Sequence, residues 1–327
     1  MPGMRYTPDD ASNDQGYPPY PDYPPYQDYP GYPDYPDYPD YGQTLGYATS
    51  ARPSGTFTQR VSPTKPGLPP VQPSSSPAKA ILGVDSLVPS DAALLANSQS
   101  GAYLGRAPQF WGRYFYAPGQ TNTAGHRDSH YSAAENAMLR SRGIRVLPIA
   151  RQTSHVNHPN RAQQDATRNV QAIFEIFSTQ YLSGADPNVL VFLDVEQDNP
   201  MTADYYATWS ETLITEATRQ SQGRVKFHPA VYGSRGDDQT WSELKQAMDN
   251  GAVCDGIWIA RYFQSQTPRP WNDSLVNPKV SLDCPVLAWQ YWASPDNAPE
   301  DLNFDANLAS PAHFDILIDR LIMPPAA

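Results

Sequence analysis

Three things are scarce in these 327 residues: cysteine, long apolar runs and positive charge. The two cysteines, Cys254 and Cys284, are too few for a disulfide framework. Each precedes an apolar run, which suits a pair of buried thiols, although neighbouring strands could bring them together. No apolar stretch approaches the ~18 residues of a membrane span. The N-terminus shows neither the charged n-region nor the apolar h-region of a signal peptide, so the general export route is not expected and action at a cell envelope would need another. Lys and Arg number 23 against 34 Asp and Glu, a net charge of −11. That balance argues against nucleic acid as a partner, which would require a basic footprint, and against a polybasic membrane anchor.

Aliphatic residues are almost absent from the first 78 positions, which hold more than half of the 35 prolines and 21 tyrosines. Residues 1–50 carry eight aspartates against Arg5 alone, −7 of the net charge. From Tyr17 to Tyr41 a three-residue Tyr-Pro-Asp repeat dominates, matching the turn of polyproline II and lining tyrosines along one edge. Such a segment cannot bury enough apolar surface to offset chain entropy, so a disordered tail is expected over 1–50 and a Pro/Ser-rich linker over 51–79. Its stacked tyrosines could meet a glycan or a protein partner, or it could be a solvated spacer.

Residues 80–327 are long enough for one (β/α) barrel and alternate strand-like with helix-like segments. Strands are expected at 81–85, 110–115, 144–149, 189–194, 226–232 (broken by Gly233), 256–262 and 285–291, with a weak one near Lys279. Helices are expected near 132–142, 160–181, 202–220, 239–248 and 312–321. Alternation implies a parallel sheet, and this many units imply closure. An open doubly wound sheet is less favoured, because no G-x-G-x-x-G or phosphate loop follows the first strand. Helices thin out after Tyr262, so the barrel is expected to be incomplete, its late strands lacking helices.

Chemistry concentrates at the strand ends. In Val-Phe-Leu-Asp194-Val-Glu196 side chains alternate, so both acids project to one side of a buried strand. Paired carboxyl groups with separated pKa values are the machinery of glycosidic-bond hydrolysis. Asp85 ends the first strand, and the other ends carry Arg113, Tyr114, Tyr232, Arg261, Tyr262, Trp289, Gln290 and Tyr291. Arg113 or Arg261 could hold one acid ionised, while Trp258, Trp289 and Trp292 could offer faces to sugar rings. A structural reading stays open, with the acids as a salt-bridge hub and the arginines as its partners. His155 and His158 lie in a polar loop without a third ligand, so neither a metal nor another cofactor is expected.

Gly83-Val-Asp85, Gly112-Arg-Tyr114, Phe192-Leu-Asp194-Val-Glu196, Val231-Tyr-Gly233, Trp258-Ile-Ala-Arg-Tyr262, Trp289-Gln-Tyr291 and Phe304-Asp305-Ala-Asn307 stand in an order that resembles the muramidases of glycoside hydrolase family 25. They are more similar still to the related glycoside hydrolase-like domains of unknown function. The resemblance covers residues 81–322 and implies an incomplete barrel acting on a peptidoglycan-type polysaccharide without a cofactor. It implies Glu196 as proton donor, with Asp85, Asp194 and Asp305 assisting. Asp301-Leu-Asn303 offers the same Asp-x-Asn spacing as Asp305-Ala-Asn307, and the Ser and Trp-Gln-Gly that follow the muramidase first strand are missing after Asp85. The expected function is a glycoside hydrolase. A non-catalytic glycan-binding barrel, or a surface or assembly protein acting through its Tyr/Pro-rich arm, are the alternatives.

Overall fold

The computed structural model describes residues 80–115, 130–151, 155–196, 199–263, 268, 270–295 and 298–326. The expected tail and linker lie outside the described residues. The chain opens with β1 (Leu82–Asp85), α1 (Ala92–Ser98), β2 (Phe110–Phe115), α2 (Asn136–Ser141) and β3 (Arg145–Arg151). It continues through α3 (Ala162–Phe177), α4 (Thr179–Ala185), β4 (Asn188–Asp194), α5 (Ala203–Ser221), β5 (Lys226–Ser234), α6 (Asp238–Asp249) and β6 (Ile257–Ala260). The last elements are α7 (Asp273–Val276), β7 (Val286–Trp292), β8 (Asp305–Ala309) and α8 (Phe314–Ile318).

The eight strands close into a TIM-type barrel in chain order. β1 to β7 are parallel, whereas β8 runs antiparallel to both β7 and β1. This corrects the expectation of a wholly parallel sheet. A parallel return requires a crossover, usually a helix. Between β7 and β8 the described residues form only a 3₁₀ turn, Glu300–Leu302, so the chain doubles back. The late helices are short, as the sequence implied: α7 has four residues and α8 has five.

The period of two sorts side chains into two cores. Phe110, Leu147, Ile149, Leu190, Phe192, Ala230, Trp258 and Ala288 fill the barrel. Trp111, Val146, Val191, Val231, Ile257 and Trp289 point outward into a layer with Val170 and Ile173 of α3, Trp209 of α5 and Trp241 of α6. Gly83 faces inward beneath Phe110, where an added Cβ would come within 2.1 Å of the ring.

Three local expectations need correction. The helix expected over 160–181 divides at Ser178, whose φ of +54° interrupts it and whose hydroxyl accepts from Tyr181 N to cap α4. Gly233 does not break β5, which runs to Ser234; it lies beneath the Trp241 ring, 3.3 Å from where a Cβ would stand. Residues near Lys279 form a loop between α7 and β7, not a strand.

The opposite, N-terminal end of the barrel is closed by the last residues of the chain. Arg145 pairs with Asp186 at 3.1 Å, and Met323 N donates to the same carboxylate at 3.0 Å. Asp255 meets Arg320 at 2.9 Å and His228 at 3.3 Å. Cys254 and Cys284 are free thiols lying against each other, and the hydrogen bond between them pushes the Cys284 thiol up. Among the described residues no helix is long and apolar enough to cross a membrane.

Candidate active site

Each strand brings one or more polar side chains to the C-terminal rim, where barrels of this type carry their chemistry. Register fixes the neighbours: Asp85 stands beside Asp305, Arg151 beside Asp194, Asp194 beside Tyr232, and Gln290 beside Asn307. Gly112, next to Asp85 on β2, is required by this crowding, since a Cβ there would lie 2.5 Å from the Asp85 Cβ.

Gln290 is the hub. Its Oε1 accepts from Tyr232 at 2.6 Å and from Tyr262 at 2.9 Å. Its Nε2 donates to Asp85 Oδ1 at 3.0 Å and to Asp305 Oδ2 at 3.0 Å. Asn307 Nδ2 also donates to Asp85 Oδ1, at 2.7 Å, while its own Oδ1 accepts from Trp258 Nε1 at 2.9 Å. Asp305 Oδ1 takes a further bond from Ser294 N at 2.9 Å. One amide thus binds two carboxylates on one side and two phenols on the other, and both ends are fully matched.

The acids differ in exposure. Asp85 and Asp194 are buried, at 3% and 2% accessibility, whereas Glu196 is exposed and Asp305 intermediate. Burial pushes Asp85 well above the usual carboxylate range, Asp305 adds repulsion, and Asn307 and Gln290 pull back. Burial likewise pushes Asp194 up, Glu196 raises it further, and Arg151 opposes both. Asp194 Oδ1 is buried without a hydrogen-bond partner among the described residues. Burial raises the Tyr114 phenol, with Asp194 and Asp85 adding to the shift, and the Arg151 guanidinium lies 5.3 Å from its ring centre. Burial also raises the Tyr232 phenol, and Tyr262 and Glu196 beside it add to that shift.

The rim therefore gathers Asp85, Tyr114, Asp194, Glu196, Tyr232, Tyr262, Gln290 and Asp305. Four other residues expected there lie elsewhere, because they occupy the outward phase of their strands. Arg113 is fully enclosed behind β2, paired with Glu135 at 2.9 Å and donating to the Ser86 carbonyl at 2.7 Å. Arg261 donates to the Leu275 carbonyl at 3.0 Å and lies over Phe263. Trp289 and Tyr291 belong to the outer core, with Trp289 Nε1 bonded to the Arg261 carbonyl. Trp258 and Trp292 are buried as well. Asp301 is exposed on its 3₁₀ turn, hydrogen-bonded by Asn97, outside the carboxylate network.

Sequence reasoning missed Arg151 as the cation facing Asp194 and Asn307 as a direct partner of Asp85. Arg151 was legible: it continues the inward phase of Leu147 and Ile149 two residues past the expected strand end. The sequence also carries Ser132-x-x-Glu135, a capping-box pattern, and Glu135 does accept from Ser132 N at 3.0 Å while holding Arg113. His155 pairs with Asp165 at 3.0 Å, and Tyr205 donates to the same carboxylate, behind the rim between α3 and α5. Among the described residues no group of three or more His, Cys, Asp or Glu is arranged to hold a metal ion.

No protein-family model and no curated protein matches the sequence. Two solved structures share similarity with it. One, an uncharacterized Bacillus stearothermophilus protein, superposes with a TM-score of 0.55 at 21% identity, over 74% of this chain and 99% of its own. The other, the Clostridium perfringens spore cortex lytic enzyme SleM, gives a TM-score of 0.42 at 14% identity, over 71% of this chain and 67% of its own. The first likeness is one of fold.

Proposed function

We propose that the barrel is a glycoside hydrolase, cleaving peptidoglycan or another amino-sugar polymer with its rim carboxyl groups. The observation that carries this reading is the gathering of Asp85, Asp194, Glu196 and Asp305 at one end of the barrel, with the two buried acids held above the ordinary carboxylate range. Two neighbouring carboxyls that repel each other can hold one proton between them, and a sugar covering the solvent-facing Glu196 would shift that proton onto it by desolvation, leaving Asp194 as the carboxylate. Glu196 is the solvent-facing member. It donates a proton to the leaving glycosidic oxygen, while Asp194 or Asp85 faces the developing oxocarbenium or orients water. Arg151 limits how far Asp194 is raised.

The test is release of reducing ends from purified peptidoglycan and from chitin-type oligomers by wild type and Glu196→Gln. The hydrolase reading expects release by wild type and a loss of roughly 10²–10⁴-fold in the variant, the usual contribution of a general acid. If neither protein releases product while both sediment with the polymer, the barrel is a binding module and the catalytic reading is wrong.

A further inference from the structure

At the end of the barrel opposite the rim, two reactive groups lie side by side where neighbouring strands begin. Cys254 comes three residues before β6 and Cys284 two before β7. The two strand starts are tied by the Ile257–Val286 pairing and by a bond from Ile257 N to the Pro285 carbonyl at 2.9 Å. Parallel neighbours run about 4.8 Å apart, within the Cα separation that a disulfide spans. The two thiols are already hydrogen-bonded to each other. That bond, with Tyr206 beside it, draws the Cys254 thiol below its usual value against the effect of burial. Cys284 also lines a surface cleft of about 460 Å³, with Lys279, Leu282, Val286 and His313, which gives a small molecule a way in. The seam that the cysteines flank is weakly made. Its register shifts between Ile257 and Trp258, and the described residues of the β6–β7 connection hold only the four-residue α7 where a crossover helix would otherwise pack.

We propose that Cys254 and Cys284 form a reversible disulfide that staples β6 to β7 when the protein meets a low-molecular-weight disulfide such as oxidised glutathione. One protein thiolate attacks that disulfide, forming a mixed disulfide and releasing the first small thiol. The second protein thiolate then displaces the other small thiol. Two cysteine thiols are thereby oxidised to one disulfide, and the small disulfide is reduced to two thiols that carry away both protons. The bridge closes the chain between positions 254 and 284, a loop that takes in Tyr262 of the rim and α7, and so restricts the unfolded chain. A shared metal ion is not the reading taken, because among the described residues no third His, Cys, Asp or Glu is arranged with the two thiols to hold one. The staple does not depend on what the rim binds.

The test is thiol counting, intact mass and thermal melting of the full chain, first reduced and then equilibrated with glutathione buffers of rising oxidised fraction. Because the chain has two cysteines, a monomer that loses both thiols without gaining glutathione contains this bridge and no other. The oxidised monomer is expected to melt roughly 5–10 °C above the reduced one, and dithiothreitol to return it to the lower value. Cys254→Ser and Cys284→Ser should each keep one thiol or take up one glutathione, and melt no higher after oxidation. The wild-type arm decides the matter even where a serine variant fails to fold. Two persistent thiols, glutathione left on both cysteines, or a disulfide-linked dimer overturns the proposal. A bridge that forms without a rise in melting temperature overturns it too, since it would then hold nothing in place.

Discussion

The two ends of this barrel treat their carboxylates in opposite ways. At the N-terminal end Asp255 is held by His228 and Arg320, and Asp186 by Arg145 and the Met323 amide. Burial alone would raise Asp255, but the hydrogen bonds and charges of His228 and Arg320 outweigh it and set its pKa below the usual value. At the C-terminal end Asp85 and Asp194 are more deeply buried, lie near other acids, and are pushed up. The same residue type stabilises one end and strains the other. Closure of the base is a structural task, so its charges are matched. Among the described residues the rim gathers four acids near the Arg151 guanidinium, the kind of arrangement the proposed chemistry would use at a cost in stability.

The largest effect should come from breaking a matched pair. Glu135→Ala strands the wholly enclosed Arg113 guanidinium and is expected to lower unfolding free energy by about 3–5 kcal/mol, read by chemical denaturation. Asp255→Asn should cost less, about 2 kcal/mol near neutral pH, since it removes charge-assisted bonds from a half-buried group. Because Asp255 has a lowered folded-state pKa, its contribution is present above the unfolded value of ~3.9 and disappears as pH falls through the folded value. The Asn variant should therefore converge with wild type in acid.

The rim predicts the reverse sign. Asp194 binds its proton more tightly folded than unfolded, so it favours the fold in acid and loses that contribution as pH rises from the ordinary carboxylate range to its raised value. Asp194→Asn is expected to raise the neutral-pH melting temperature by roughly 2–4 °C, what 1 kcal/mol yields in a domain of this size, and to flatten the pH dependence. A fall in melting temperature would show that the rim is not strained. The smallest effect is expected at the exposed Lys245–Asp249 pair, one helical turn apart, where Lys245→Ala should change stability by about 0.3–0.5 kcal/mol.

Much of this architecture could be read from the chain because buried parallel strands announce themselves as apolar runs: β2 was expected at its observed bounds and β4 within a residue. β8 escaped as a strand because it is short and reads Asp-Ala-Asn-Leu-Ala, with two of its three inward positions, Asp305 and Asn307, polar. The acids were legible because on a strand the Asp-x-Glu spacing puts both on one side. The arginines were not, since a period of two makes placement depend on phase. Arg113 and Arg261 fall one residue out of step with the inward Tyr114 and Tyr262. Arg151 falls in step, but beyond the point where the apolar run ends.

The reversed last strand also governs when the site can come into being. Asp85 is hydrogen-bonded by Gln290 and Asn307, 205 and 222 residues further along the chain. Strand pairing of β1 with β8 joins the two edges of the sheet, so those bonds form only at closure. Contacts of such long sequence separation are slow to form, because the loop-closure entropy falls due before the contacts reward it. During synthesis, Asp85 must wait without these partners until the final strand has emerged. The carboxyl cluster is therefore assembled last, and its titration reports on completion of the barrel rather than on the folding of any one part.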